Sequence, residues 1–125
     1  MNLGFNFYLV LDGNGQEAVN FYENALDAEI VTVVLDDANE RVQHAHLKVG
    51  NTDFMLSDEL PPNKIKSSQV TLYMPLNDAE KAKEVFWKLQ DGGQIVSPMQ
   101  ETPWSPAHGV VTDRFGVTWI LNTRN

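Results

Sequence analysis

Trp119-Ile120-Leu121-Asn122, close to the end of a 125-residue chain, repeats in kind the stretch Phe54-Met55-Leu56-Ser57, 65 residues earlier. Aromatic falls on aromatic, apolar on apolar, and a polar residue closes both. The same displacement lays Phe21-Tyr22 on Phe86-Trp87 and Ile30-Val31 on Ile95-Val96. Three anchors on one offset indicate an internal duplication. The expected organisation is a single domain of two modules, about 3–60 and 66–124.

Working outward from those anchors, each module reads as a strand, a helix and three strands. Residues 5–11 are rich in β-forming types and stop at the breaker cluster Asp12-Gly13-Asn14-Gly15. Asn14 is the expected helix cap, with Glu17 completing a capping box. Ala18, Phe21, Tyr22 and Ala25 then follow at i, i+3, i+4 and i+7, an apolar stripe facing a sheet. A strand over 28–35 leads to a turn at Asp36-Asp37-Ala38-Asn39. Strands 41–49 and 52–58 form a hairpin around Gly50-Asn51.

Pro61-Pro62-Asn63 is a rigid connector to the second module. There a strand over 69–74 precedes a helix begun by Asn77 or Asp78, with Ala82, Val85, Phe86 and Leu89 on one face. Gly92-Gly93 supplies the left-handed stop. Strands over 94–97, 109–112 and 117–122 complete it, and a proline-rich loop with Pro98, Pro103, Trp104, Pro106 and His108 is expected between the first two. Two βαβββ modules make an α+β protein.

Apolar and aromatic residues are 42% of the chain and charged ones 21%, an ordinary globular balance. The longest apolar runs are far short of the ~20 residues of a membrane-spanning helix. No basic and apolar leader opens the sequence, so a cytoplasmic location is expected. Without cysteine there is no disulfide, no thiolate nucleophile and no Cys-ligated zinc. Nine Lys and Arg against 17 Asp and Glu give a net charge of −8, a field that repels nucleic acid and anionic membranes.

The βαβββ-βαβββ order resembles the vicinal-oxygen-chelate superfamily of glyoxalases, bleomycin-resistance proteins and dioxygenases, and within it the PhnB-like group. The matching segments are Leu9-Val10-Leu11-Asp12-Gly13-Asn14, Ala18-Val19-Asn20-Phe21-Tyr22, Met55-Leu56-Ser57-Asp58, and the run Thr112-Asp113-Arg114-Phe115-Gly116-Val117-Thr118-Trp119-Ile120-Leu121-Asn122. The resemblance implies an open, cup-shaped mixed sheet with the helices on the convex side, and a homodimer. Strand alternation then turns Asn6, Tyr8 and Val10 to the cup, and Phe7 and Leu9 to the helix. His44, His46 and Lys48 share one face, opposite Ala45 and Leu47. Gln69, Thr71 and Tyr73 face the cup; Trp119 and Leu121 belong to the core.

Metalloenzymes of the superfamily hold a divalent ion with His, Glu or Gln side chains from the first and last strand of each module. Those positions fall here on Asn6, Gln69, Met55 or Ser57, and Ile120, of which Gln69 alone is a usual ligand. No inherited metal site is expected. A substitute built on His44 and His46, about 7 Å apart along a strand, with His108 and Asp58 as further donors, is the disfavoured reading. Asp113 is expected to cap the Arg114-Phe115-Gly116 turn, and Asp58 a turn ahead of Leu60-Pro61. Neither a serine nucleophile elbow nor a phosphate-cradling glycine loop is present.

A binding cup is what remains. Asn6, Tyr8, His44, His46, Gln69, Tyr73, Trp104 and His108 combine flat apolar area with polar handles, which suits a small organic ligand. Trp104 would close over it as a lid, or else cover a seam or a subunit contact. The competing readings are a metal-dependent lyase, isomerase or dioxygenase using His44 and His46, and a dimeric structural module whose cup is filled.

Overall fold

The computed structural model describes residues 6–58 and 71–123. The chain divides into two compact units, Met1–Lys66 and Ser67–Asn125. The first contains β1 (Phe7–Leu11), α1 (Gly15–Leu26), β2 (Glu29–Leu35), β3 (Val42–Val49) and β4 (Thr52–Asp58). The second contains β5 (Leu72–Leu76), α2 (Ala79–Leu89), β6 (Gln94–Thr102), β7 (Ser105–Thr112) and β8 (Thr118–Thr123). The sheets run β1-β4-β3-β2 and β5-β8-β7-β6, each with one parallel pair, β1 with β4 and β5 with β8. The α+β order βαβββ therefore occurs twice.

In the first unit the core lies between α1 and one sheet face. Phe7 stacks on Phe54 with ring centroids 4.6 Å apart, and Tyr22 meets Phe54 edge-on at 6.1 Å. Ala18, Tyr22, Ala25, Ala45, Leu47 and Leu56 complete it, all buried. The helix is rotated slightly from the expected stripe: Val19 and Leu26 are buried and Phe21 only half so. In the second unit Ala82, Val85, Phe86 and Leu89 pack as expected against Val111, Trp119 and Leu121. Phe86 sits so close to β7 that a Cβ at Gly109 would lie 2.8 Å from its ring.

The duplication is strictest in the parallel pairs. Phe7 opposite Phe54 becomes Leu72 opposite Trp119, and Leu11 opposite Asp58 becomes Leu76 opposite Thr123, each at the 65-residue offset. The helices follow a slightly different offset, since Gly15 and Ala79 both begin one, 64 residues apart. The third strands do too: Ala45 pairs with Leu56, and Gly109 with Leu121. Loops absorb these slips, because a slip inside a strand would turn every side chain to the wrong face.

Three local expectations are corrected. The proline-rich loop is a hairpin, with β6 and β7 paired from Gln94–Thr112 to Thr102–Ser105 around Pro103-Trp104. Pro98 is accommodated because β6 is an edge strand, and the register shifts between Ser97 and Gln100 mark an extra residue there. Asn14 does not cap α1 with its side chain; its Oδ1 accepts from the backbone N of Asp12 instead. Asp58 takes that role from the far end of the unit, as described next. By contrast α2 is capped locally, with Asp78 accepting from Glu80 N at 2.9 Å.

Candidate functional site

Two buried carboxylates, Asp58 and Asp113, give both their oxygens to hydrogen bonds within the protein. Asp58 Oδ1 accepts from Gly13 N at 2.7 Å and Gly15 N at 2.9 Å, while Oδ2 accepts from Val42 N at 2.8 Å. It thus seats the start of α1 and the start of β3 together, where a turn ahead of Leu60-Pro61 was expected. Gly15 is required for this approach, since a Cβ there would lie 2.6 Å from Asp58 Oδ2. Asp113 behaves as expected: Oδ1 accepts from Phe115 N and Val117 N. Its Oδ2 also accepts from Trp119 Nε1 at 2.9 Å.

The polar side chains left for a ligand lie on the sheet faces turned away from the helices. In the first unit Tyr8 is half exposed, and its hydroxyl donates to Ser57 Oγ at 2.7 Å. His46, opposite Met55, places Nε2 2.8 Å from Asp53 Oδ1, so that nitrogen carries a proton toward the carboxylate. The pair is too exposed to contribute more than about 1 kcal/mol of stability. His44 is exposed on the same face, and Asn6 is exposed just ahead of β1.

In the second unit Tyr73 is exposed beside Ile120. His108 Nδ1 lies 3.0 Å from Asn122 Oδ1, which fixes the ring and leaves Nε2 to accept a hydrogen bond. Trp104 meets His108 edge-on at 5.7 Å and is 62% exposed. It stands on a two-residue hairpin turn, so the expected lid on a free loop is replaced by a ring fixed to paired strands. Gln69 lies outside the described residues.

Corresponding positions match across the units. Tyr8 pairs with Met55 as Tyr73 pairs with Ile120. His108 lies opposite Asn122, and one step on from the Ala45–Leu56 pair puts His44 opposite Ser57. Each open face thus carries a tyrosine, a histidine and a small polar residue in the same arrangement. Sequence reasoning missed Asp53 and weighed Ser57 only as a metal position, whereas alternation along the last strand does turn Asn122 to the same face as Ile120. The 65-residue overlay did place Ser57 on Asn122, but the 64-residue offset of β3 and β7 hid the match of His44 with His108.

The register also decides the inherited metal positions. Met55, not Ser57, is the counterpart of Ile120, and the same 65-residue offset carried one residue ahead of β1 and β5 sets Thr71 against Asn6. An amide, a hydroxyl, a thioether and an alkyl chain do not form the donor set of a hard divalent ion. Of the donors weighed for a substitute site, Asp58 gives its oxygens to backbone amides, and His46 turns Nε2 to Asp53. Among the described residues no three His, Asp or Glu side chains converge on a point.

Two mixed four-stranded sheets, each backed by one helix in βαβββ order, define a protein of the glyoxalase and bleomycin-resistance fold. The chain belongs to the Glyoxalase/Bleomycin resistance protein/Dioxygenase superfamily, whose model matches residues 4–121. It is 31% identical to the YjdN protein of Escherichia coli (strain K12), over 92% of this chain and 91% of that one. Among solved structures it is similar to PA1353 from Pseudomonas aeruginosa, with a TM-score of 0.88, 27% identity and 98% of both chains covered. The PhnB protein from Bacillus cereus aligns with a TM-score of 0.84 and 30% identity, over 97% of this chain and 99% of that one. The expected PhnB-like kinship is borne out. No helix among the described residues is long and apolar enough to cross a membrane.

Proposed function

We propose that the protein binds a small organic molecule on the open face of a sheet and holds it without an inherited metal. The observation that carries this reading is the repeated row of Tyr8, His44 and Ser57 in one unit and Tyr73, His108 and Asn122 in the other. Their polar atoms are held in place by the Tyr8–Ser57 and His108–Asn122 hydrogen bonds, among exposed apolar residues such as Val10, opposite Ser57, and Val34, opposite His44. Flat apolar area with a few fixed polar groups suits a small amphipathic or aromatic ligand. His108 Nε2 favours one that presents a hydroxyl or N–H donor. A homodimer in the cytoplasm is part of the proposal, since β2 is an edge strand with Val31, Val33 and Val34 exposed, which a partner would cover.

The test is a screen of small aromatic and amphipathic compounds by thermal shift, repeated on Tyr8→Phe, His108→Ala and the double variant His44→Ala/His46→Ala. A binder loses affinity in the first two, with no metal dependence. Turnover that requires added divalent metal and vanishes in the double histidine variant would favour the metal-dependent enzyme and overturn this reading. Elution from gel filtration at the 14.1 kDa of one chain would count against the dimer.

A further inference from the structure

The loop into α1 contains Asn14-Gly15, the one Asn-Gly dipeptide of the sequence. Such a pair is chemically unstable in an open chain. The glycine nitrogen gives up its proton and attacks the asparagine side-chain carbonyl carbon, unhindered because glycine has no Cβ. A C–N bond forms, ammonia leaves, and the five-membered succinimide is then opened by water at either carbonyl, yielding aspartate or isoaspartate.

In the folded protein that nitrogen is engaged. Gly15 N donates to Asp58 Oδ1 at 2.9 Å, Gly13 N donates to the same oxygen at 2.7 Å, and Gly15 is buried. A carboxylate so placed retains the amide proton and opposes the negative charge that an attacking nitrogen must develop. The Asn14 side chain is itself turned back to accept from Asp12 N at 3.3 Å.

We propose that Asn14 is a latent deamidation site, kept silent in the folded protein by Asp58 and converted only when the start of α1 opens. Conversion is one-way in effect. It sets a new carboxylate at position 14, between the two glycines whose amides Asp58 holds, and the isoaspartate product adds a methylene to the backbone at the start of α1. The second unit has no counterpart, because its helix is entered through Asn77-Asp78.

The full-length protein is incubated at 37 °C and mildly alkaline pH, in buffer and in guanidinium chloride, and the peptide carrying Asn14 is followed by mass spectrometry. Reaction through opening requires both hydrogen bonds to Asp58 to break. At about tenfold each, conversion in buffer should be about 100-fold slower than in denaturant. Asp58→Asn, which removes the charge, should speed conversion in buffer about tenfold and leave the denatured rate unchanged. Equal rates in buffer and denaturant would overturn the proposal, as would no conversion in denaturant. If Asp58→Asn is folded by circular dichroism yet converts at the wild-type rate, Asp58 is not the guard. If that variant does not fold, the wild-type comparison still decides whether the fold silences the site.

Discussion

Asp113→Asn should destabilise the second unit mainly through one buried donor left without an acceptor. In the native protein Asp113 Oδ1 takes the amides of Phe115 and Val117, at 2.9 and 3.1 Å, while Oδ2 takes Trp119 Nε1 at 2.9 Å. Asparagine offers one oxygen and one NH2. Serving the two turn amides turns the NH2 toward the indole, so two donors face each other inside a buried pair. An orphaned buried donor costs about 1–3 kcal/mol, and the lost charge on the remaining bonds adds about 1 kcal/mol. The expected total is about 2–4 kcal/mol. Trp119→Phe removes the indole N–H, so in that background the asparagine should cost only about 1 kcal/mol. A double-mutant cycle by urea denaturation, followed by far-UV circular dichroism, should therefore give a coupling of about 1–3 kcal/mol. Additivity within about 0.5 kcal/mol would show that the Asp113–Trp119 bond does not hold the segment, and the reasoning would fall.

Gly15→Ala should destabilise by about 1–3 kcal/mol, although alanine is the better helix former, because its Cβ meets Asp58 Oδ2 at 2.6 Å; thermal melts would show the sign. Hydrogen bonds from the backbone amides of Glu40, then Arg41, hold the Asp36 carboxyl below its ordinary 3.8. A depressed folded value means stability that is present above 3.8 and lost as pH falls through the folded value. Asp36→Asn should accordingly melt lower than wild type near neutrality, with the gap closing below that pH; a gap constant down to strong acid would contradict the assignment. Trp104→Ala should change stability by no more than about 0.5 kcal/mol, since the ring is mostly exposed on a turn, while reducing any ligand binding that reports on His108. Unaltered affinity in that variant would remove Trp104 from the site.

The repeat was legible because strands β4 and β8 carry the same alternation, and their parallel pairing with β1 and β5 keeps it in strict register. Face assignments followed from that alternation: Ala45 and Leu47 are buried while His44 is exposed, and Trp119 and Leu121 are buried. Local chemistry was legible where it was local, as at Asp78 and Asp113. It failed where the partner was distant. No pattern near Asn14 announces that Asp58, 43 residues beyond Gly15, would accept its N–H. Three prolines between residues 98 and 106 suggested a loop, since proline cannot donate to a ladder, but an edge strand with a bulge tolerates what a central strand does not. The histidine rows were half legible, because single-residue loop changes shift β3 and β7 out of the offset that reveals the rest.

A chain leaving the ribosome emerges N-terminus first, so α1 is synthesised well before the carboxylate that seats its first turn. Until residue 58 has followed, the amides of Gly13, Gly15 and Val42 lack that acceptor. A 12-residue helix has little hold of its own in water. α2 brings its cap on the residue just ahead of it. The N-terminal half must therefore wait for its final strand during translation before the start of its helix is seated, while α2 has its capping carboxylate in place before its own first turn is made.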